Sequence, residues 1–510
     1  MTTQAEDLMK KGHKIHTVIS ENQKDFPRLE GVTYTMVPYT AQVSPEKIDG
    51  QLPFNFPMFT THTRSTESFW NLSMEQISQI ENKYRQAISG AIMKSDPDVI
   101  HGQHLWLHSG ICAEFDKPLV ITVHGTDLMG IQEAKRRATE SMKKLKTSGI
   151  TPEEKEQATL ELQRAMHYYE QAKKGALSAQ KILVISKDQQ NKLHELFPEL
   201  DSKVELLENG YNPEVFYPEE NVDREKVLGK LTASNTSDGV VPTDYDNMAL
   251  FVGKFAKFKG IDFILDAEKQ YEEAAKKKGK KAITVIVGSG DQEEALKAQA
   301  EALGLENVYF VGRQNHDVIR NLQALADVAL APSREEPFGL VFLEAGGCGT
   351  PSIGTNAGGI PDILNTTGKT IKKNYDFQFD SPNPTIVPPD KGTVGTYTTD
   401  LGILIPYTFT GELDDDGKPI EDRETIVGAL AEAVTSVFDG RRKFDSKKIA
   451  QYIRSHYDQS VINDRLVDAF ETAIAMHQAP PPPPQIKVKK TSKVIPFQRP
   501  KGGHSLDDDD

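Results

Sequence analysis

Short runs of Val and Ile, apolar on consecutive residues rather than alternate ones, recur along this chain and restrict what it can fold into. In the first half they are "KIHTVIS" (14–20), "DVIHG" (98–102), "PLVITVHG" (118–125) and "KILVIS" (181–186). The second half repeats the pattern with "ALFVGKF" (249–255), "ITVIVGSG" (283–290), "NVYFVG" (307–312), "DVALAPS" (327–333) and "TPSIGT" (350–355). A strand with one wet face alternates apolar and polar residues, whereas a strand covered on both faces has no reason to. Between the runs lie stretches with helical spacing, such as "EEALKAQAEALGL" (293–305) and "HDVIRNLQALA" (316–326). Strand and helix in alternation predict α/β architecture with two doubly wound, Rossmann-like parallel sheets.

The runs form two clusters. The polar span 211–248, with its prolines and glycines, separates them and marks a domain boundary. The expected layout is a first α/β domain over 1–212, a linker over 213–247 and a second α/β domain over 248–443. Closing helices over 444–478 pack back toward the first domain. Within the first domain, 131–175 reads as an inserted pair of charged helices, the second starting at "TPEE". A polar excursion at 372–400 interrupts the second domain. The proline-rich end, 479–510, cannot build a core and is expected to be disordered.

With 510 residues, each domain can bury its own core. A net charge of −14 argues against a partner bound through nucleic-acid phosphates. No apolar run approaches the roughly 20 residues that cross a bilayer, and "MTTQAEDLMKKGHK" lacks the apolar stretch of a secretory leader. The only cysteines, Cys112 and Cys348, suit a reducing compartment, so a cytoplasmic protein is expected.

Chemistry concentrates in "SREEPFGLVFLEAGGCGTPSIGTNAGGIPD" (333–362). A helix starting just past Pro337 would present the backbone N–H groups of Phe338, Gly339, Leu340 and Val341 to an anion, with the helix dipole assisting. Glycine at 339 lets a ligand approach the backbone. Glu336 would sit at the lip and Glu344 about two turns on, both able to accept from sugar or ribose hydroxyls. The plain alternative is a capping Glu336 and a structural Glu344. In "FVGKFAKFKGIDFILDA" (251–267), Lys254, Lys257 and Lys259 follow a strand, where lysines can neutralise phosphates. Together with Gly288 and Gly290 of "VGSG", they suggest a diphosphate site.

These segments resemble the retaining GT-B glycosyltransferases of family 4, the glycosyl transferases group 1. The family's two glutamates with seven residues between them are seen in "EPFGLVFLE". "GTPSIGTNAGGIPDIL" is similar to its next segment, with Asp362 where glutamate is usual. "VGKFAKFKG" is similar to its phosphate loop, with Lys254 in place of the common arginine. In the first half "DVIHGQH", "PLVITVHGTDL", "VISK" and "ENGYNPEVFYP" also resemble the family, and the likeness covers roughly 5 to 475.

The resemblance implies an enzyme that moves a hexose from a nucleoside-diphosphate sugar to a hydroxyl acceptor with retention at the anomeric carbon. The first domain would face the acceptor and the second would hold the donor. Glu344 would bind the ribose, Glu336 the hexose hydroxyls, and Phe338, Gly339, Leu340 and Val341 the hexose and phosphate through their amides. Lys254 and Lys259 would stabilise the departing diphosphate, His124 would approach the donor sugar, and backbone near Gly312 and Arg313 would hold the base. No cofactor or metal is implied, since lysines and amides take that part.

The family normally opens with a strand and a glycine-rich loop, whereas this chain opens with "QAEDLMKKGHKIHTVIS", already within the following helix. That implies an absent first strand and leaves open a non-catalytic nucleotide-sugar-binding or scaffold protein. His101, His104 and His108 lack an acidic or cysteine partner nearby and are not read as a metal site. The cations of 131–148 suit either peripheral contact with an anionic membrane or a solvated helix pair. The proline run suits either a partner domain or a spacer.

Overall fold

The computed structural model describes residues 2–40, 48–59, 65, 67–365, 395–414 and 418–479. Each predicted run contains a strand. In the first half β1 (His16–Glu21) and β2 (Thr33–Pro38) pair in parallel. A separate four-stranded parallel sheet takes the order β3 (Ile100–Gln103), β4 (Leu119–Val123), β5 (Lys181–Val184), β6 (Val204–Leu206).

The second half builds a seven-stranded sheet. Its strands are β7 (Asn247–Val252), β8 (Ala282–Val287), β9 (Val308–Phe310), β10 (Val328–Ala331), β11 (Ser352–Thr355), β12 (Tyr397–Thr398) and β13 (Gly402–Ile405). They lie in the order β12-β13-β11-β10-β7-β8-β9, all parallel except β12. A small hairpin, β14 (Phe409–Leu413) with β15 (Pro419–Glu421), follows.

Burial explains the unalternating runs. Along β7, Met248 and Leu250 enter one core while Ala249 and Phe251 enter another on the opposite face. Helices Leu340–Gly347 and Ser446–Tyr457 lie in the first of these cores, and Ile261–Lys276 with Arg423–Phe438 in the second. The first sheet divides likewise, with Ile121 and Val184 on one face and Val120 and Leu183 on the other. Successive residues of a strand point to opposite faces, so a strand covered twice must be apolar throughout.

The inserted pair forms as two helices, Thr126–Leu145 and Pro152–Ser178, the second opened by a Thr151–Glu154 capping box. The structure adds detail to two parts of the expected layout. The segment 213–247, expected as a linker, contributes Phe216, Leu228, Leu231, Val241 and Tyr245 to the second core. There Ser234 N donates to Phe310 O at 2.8 Å, and Asn235 gives its amide to Val308 O and accepts from Phe310 N. Edge strand β9 thereby gains partners that no strand supplies. The closing helices also part company. Ser446–Tyr457 packs on Leu340–Gly347, and only Gln459–Gln478 reaches the first sheet, placing Ile462, Leu466, Ala469 and Ala473 against Val120 and Leu183. The tail from 480 on and the 372–394 part of the polar excursion lie outside the described residues.

Inside helix Ile261–Lys276 is a carboxyl group that no neighbour pairs. Glu268 is fully buried, neither of its oxygens has a hydrogen-bond partner, and burial with the nearby Glu272 pushes it up to about 8. A carboxyl whose folded pKa is raised stabilises the fold while it stays protonated, and that contribution is lost as pH rises from the unfolded value of 4.5 toward 8. The expected slope is about 1.4 kcal/mol per pH unit across that window. Glu268→Gln should melt near wild type at pH 5 and clearly above it at pH 9. Equal melting temperatures across the series would contradict this reading.

Candidate active site

Loops at the carboxyl ends of the parallel strands converge where α/β sheets hold ligands. After β7 the chain turns through Lys257–Lys259 to Gly260, which opens helix Ile261–Lys276. After β10 the loop Pro332–Phe338 leads to Gly339, whose φ of 109° starts helix Leu340–Gly347. The first amides of that helix have no acceptor within it and face outward from its N-terminus.

The two loops are joined closely. Lys259 Nζ lies 2.6 Å from Glu336 Oε2. Arg334 N donates to Phe258 O at 2.7 Å, and its guanidinium reaches Lys257 O, Asp262 and Glu421. Arg423 adds bonds to Asp262 and Asp266, and both arginines lie over the Phe263 ring. A side chain on Gly260 would meet Pro332 O at 2.0 Å, so that position allows only glycine. The glycine pair after β11 has the same reason. At Gly358, with φ of 55°, an added Cβ would lie 2.1 Å from Glu336 O, and Gly359 N donates to that oxygen at 2.7 Å.

Gly288 and Gly290 follow β8. They too are explained by proximity, since a Cβ would meet Gly253 O at 1.8 Å and Phe255 O at 2.2 Å. They let the lysine loop lie against the end of β8. Gly312 stands in open space, its carbonyl accepting from Gly288 N, and Arg313 Nε donates to Ser289 Oγ at 2.7 Å. The site therefore extends along neighbouring strands β10, β7, β8 and β9, with Glu336 and Lys259 at one end and Gly312 and Arg313 at the other. Lys254 and Lys257 are exposed beside it. Phe338, at the end of the loop, is buried; on the helix, Leu340 is exposed, and burial pushes the Glu344 carboxyl up to about 7.

The first half supplies the opposing wall. Gly125 follows His124 at the end of β4, and a Cβ there would lie 2.6 Å from Pro337 Cβ, which puts His124 beside the glutamate segment. His124 Nε2 bonds Gln103 Oε1 at 2.6 Å, and burial, with His104 and His101 nearby, pushes the imidazole down to about 3. It is neutral at neutral pH. Asp127, fully buried, accepts from His124 N at 3.1 Å and Leu105 N at 2.7 Å, tying two loops together. Ser186 Oγ donates to Pro337 O at 2.7 Å, Lys187 N donates to Asp362 Oδ2 at 2.7 Å, and Lys192 pairs with Glu335 at 3.1 Å.

Sequence reasoning missed Arg334, Asp127 and Ser186. The signal for Asp127 lay in "HGTD", an acid opening a helix just after a strand. For Arg334 no local pattern pointed to Asp262 and Glu421. The histidines separate into other tasks: His101 bonds Thr122 Oγ1 and His108 bonds Gln103 O. Among the described residues no group of three or more His, Cys, Asp or Glu side chains is arranged to hold a metal. The cations of 131–148 are partly engaged within the helix pair, Arg136 with Glu133 and Glu140, and Arg137 with Glu133 and Glu161. Among the described residues no helix is long and apolar enough to cross a membrane.

Residues 237–377 match the family model described as Glycosyl transferases group 1, and residues 1–215 match that described as Glycosyltransferase Family 4. An uncharacterised glycosyltransferase of Methanocaldococcus jannaschii is 32% identical over 184 residues, covering 36% of this chain and 44% of the relative. An alpha-maltose-1-phosphate synthase of Mycobacterium tuberculosis is 27% identical over 209 residues, covering 39% of this chain and 50% of the relative. The chain thus spans about half the length of the curated relatives it matches. Among solved structures, sucrose-phosphate synthase from Thermosynechococcus elongatus superimposes with a TM-score of 0.56 at 17% identity, over 93% of this chain and 92% of that one. WaaG, a glycosyltransferase involved in lipopolysaccharide biosynthesis, gives 0.52 at 17% identity, over 92% and 95%. The fold is that of the GT-B glycosyltransferases.

Proposed function

We propose that this chain, which carries matches to both halves of a group 1, family 4 glycosyltransferase, transfers a hexose from a nucleoside-diphosphate sugar to a hydroxyl acceptor with retention of anomeric configuration. The observation that carries this is the corner where the Lys259–Glu336 pair adjoins the helix start at Gly339. It combines a cation, a carboxylate and outward-facing amides, which is what a sugar bonded to a diphosphate requires. The hexose would lie against Glu336 and the amides of Phe338, Gly339, Leu340 and Val341. The diphosphate would lie between those amides, Lys254 and Lys259, and the ribose at Glu344.

As the glycosidic C–O bond to the diphosphate breaks, negative charge grows on the leaving oxygen. Lys259 and the helix start meet that charge inside a shielded site, where fixed dipoles count most. They supply this without a metal. The departing phosphate oxygen takes the acceptor proton as the new bond forms on the same face. His124, neutral and held by Gln103 and Asp127, orients the sugar by hydrogen bonding.

Thermal melting with UDP-, GDP- and ADP-sugars, each against its free nucleotide, tests the reading. A shift with one base class supports it by mass action; no shift with any of them on folded protein would overturn it. A pH signature follows from Glu344. Its carboxylate accepts from two ribose hydroxyls only when ionised, so donor affinity should strengthen as pH rises through about 7. Glu344→Gln should weaken binding and flatten that dependence, measured by titration calorimetry between pH 5.5 and 8.5.

A further inference from the structure

A second polar cavity, of about 240 Å³, opens at the other end of the second sheet. Gln323, Asp327, Cys348, Thr350, Arg442 and Ser446 are among its walls. Asp327 and Pro351 immediately precede β10 and β11. The cavity therefore lies at the amino ends of strands whose carboxyl ends carry the cleft loops.

Three observations there point to an anion. Gln323 is 1% exposed, yet neither its Oε1 nor its Nε2 has a hydrogen-bond partner. A buried primary amide is costly to leave unpaired, so its partner is to be sought in what fills the cavity. Arg442 is in the same condition at Nη1, which is shielded and unpartnered. Its neighbour Arg441 is instead taken up by Glu432 and Asp439. Lastly, "GRRKFDSKK" (440–448) concentrates Arg441, Arg442, Lys443, Lys447 and Lys448 against the single acid Asp445, in a chain of net charge −14. Asp445 caps the next helix, accepting from Lys447 N and Lys448 N. The carboxylate in the wall, Asp327, accepts from Met248 N at 2.8 Å.

We propose that this cavity binds a small phosphate-bearing anion, free phosphate or the phosphate of a small monoester, with Arg442 supplying the charge and Gln323 Nε2 a hydrogen bond. Arg442 matches a phosphate through its planar fork, and the basic segment raises the local anion concentration. The site stands apart from donor binding, although helix Leu340–Gly347 links them, beginning at the cleft and ending beside Cys348 in the cavity wall.

Inorganic phosphate, titrated into the full chain at constant ionic strength and followed by thermal melting, tests this. Because phosphate also suits the lysine corner, the titration is repeated in Lys259→Ala, Arg442→Gln and Gln323→Leu. The expected result is a saturable rise of about 2 °C in wild type and in Lys259→Ala, absent from Arg442→Gln and Gln323→Leu. Arg442→Lys, which keeps a point charge without the fork, should retain part of it and guards against a misfolded glutamine variant. Glucose 6-phosphate at equal concentration separates the two sources: a larger rise identifies a monoester, an equal one free phosphate. A rise that persists in Arg442→Gln, or no rise in wild type beyond a chloride control, would overturn the proposal. So would a rise lost only in Lys259→Ala, which would place the phosphate in the cleft.

Discussion

Lys259→Ala is expected to slow release of nucleoside diphosphate from the donor by about 10²–10³-fold, the usual cost of removing one group that meets charge developing in the transition state. Lys259 Nζ already lies 2.6 Å from Glu336 Oε2, so it is held at the corner before any donor arrives. Its loss also leaves the Glu336 carboxylate, 8% exposed, without its cation. Part of the effect should therefore be shared, and Lys259→Ala with Glu336→Gln should cost less than the product of the two single changes. Lys259→Arg, which retains charge in a bulkier form, should lose about tenfold. Steady-state release at saturating donor measures all four variants against wild type. Turnover within twofold of wild type in Lys259→Ala would remove this residue from the chemistry.

Gly358→Ala should damage the site without replacing any group proposed to bind substrate. Its Cβ would lie 2.1 Å from Glu336 O, and backbone rather than a flexible side chain is in the way. Relief requires the glutamate loop to move, breaking the bond from Gly359 N to Glu336 O. Steric displacement added to left-handed backbone strain should cost about 3 kcal/mol and lower transfer below about 1% of wild type. Gly312 supplies the comparison, with φ of 65° but nothing within 4 Å of the added Cβ. Gly312→Ala should lose only the left-handed preference, about 1 kcal/mol. Thermal denaturation of the two variants decides the matter, and equal losses would contradict the assignment of Gly358.

The strands were legible because burial on both faces writes itself into consecutive residues, as Ala249 to Phe251 and Ile283 to Val287 illustrate. The helix was legible from a glycine and an apolar run, although it opens at Leu340 behind Gly339 rather than directly past Pro337. What remained hidden depends on partners distant in sequence. Nothing near Arg334 announces Asp262 or Glu421, and the two glutamates alone do not reveal that Lys259 already occupies Glu336. The pair Gly358 and Gly359 also depends on a distant partner, since its constraint comes from the Glu336–Pro337 backbone behind it. The packing of 213–247 was hidden for a related reason. Its composition is polar, but Leu228, Leu231 and Tyr245 at irregular spacing fill one core, and Asn235 substitutes for a missing strand partner.

The most direct measurement is a crystal structure of the chain with the nucleotide sugar that melting selects. A diphosphate oxygen is expected within about 3 Å of Lys259 Nζ and of the Gly339 or Leu340 amide. The hexose is expected at Glu336 and the ribose hydroxyls at Glu344. A donor seated elsewhere, with the Lys259–Glu336 pair unengaged, would contradict this placement.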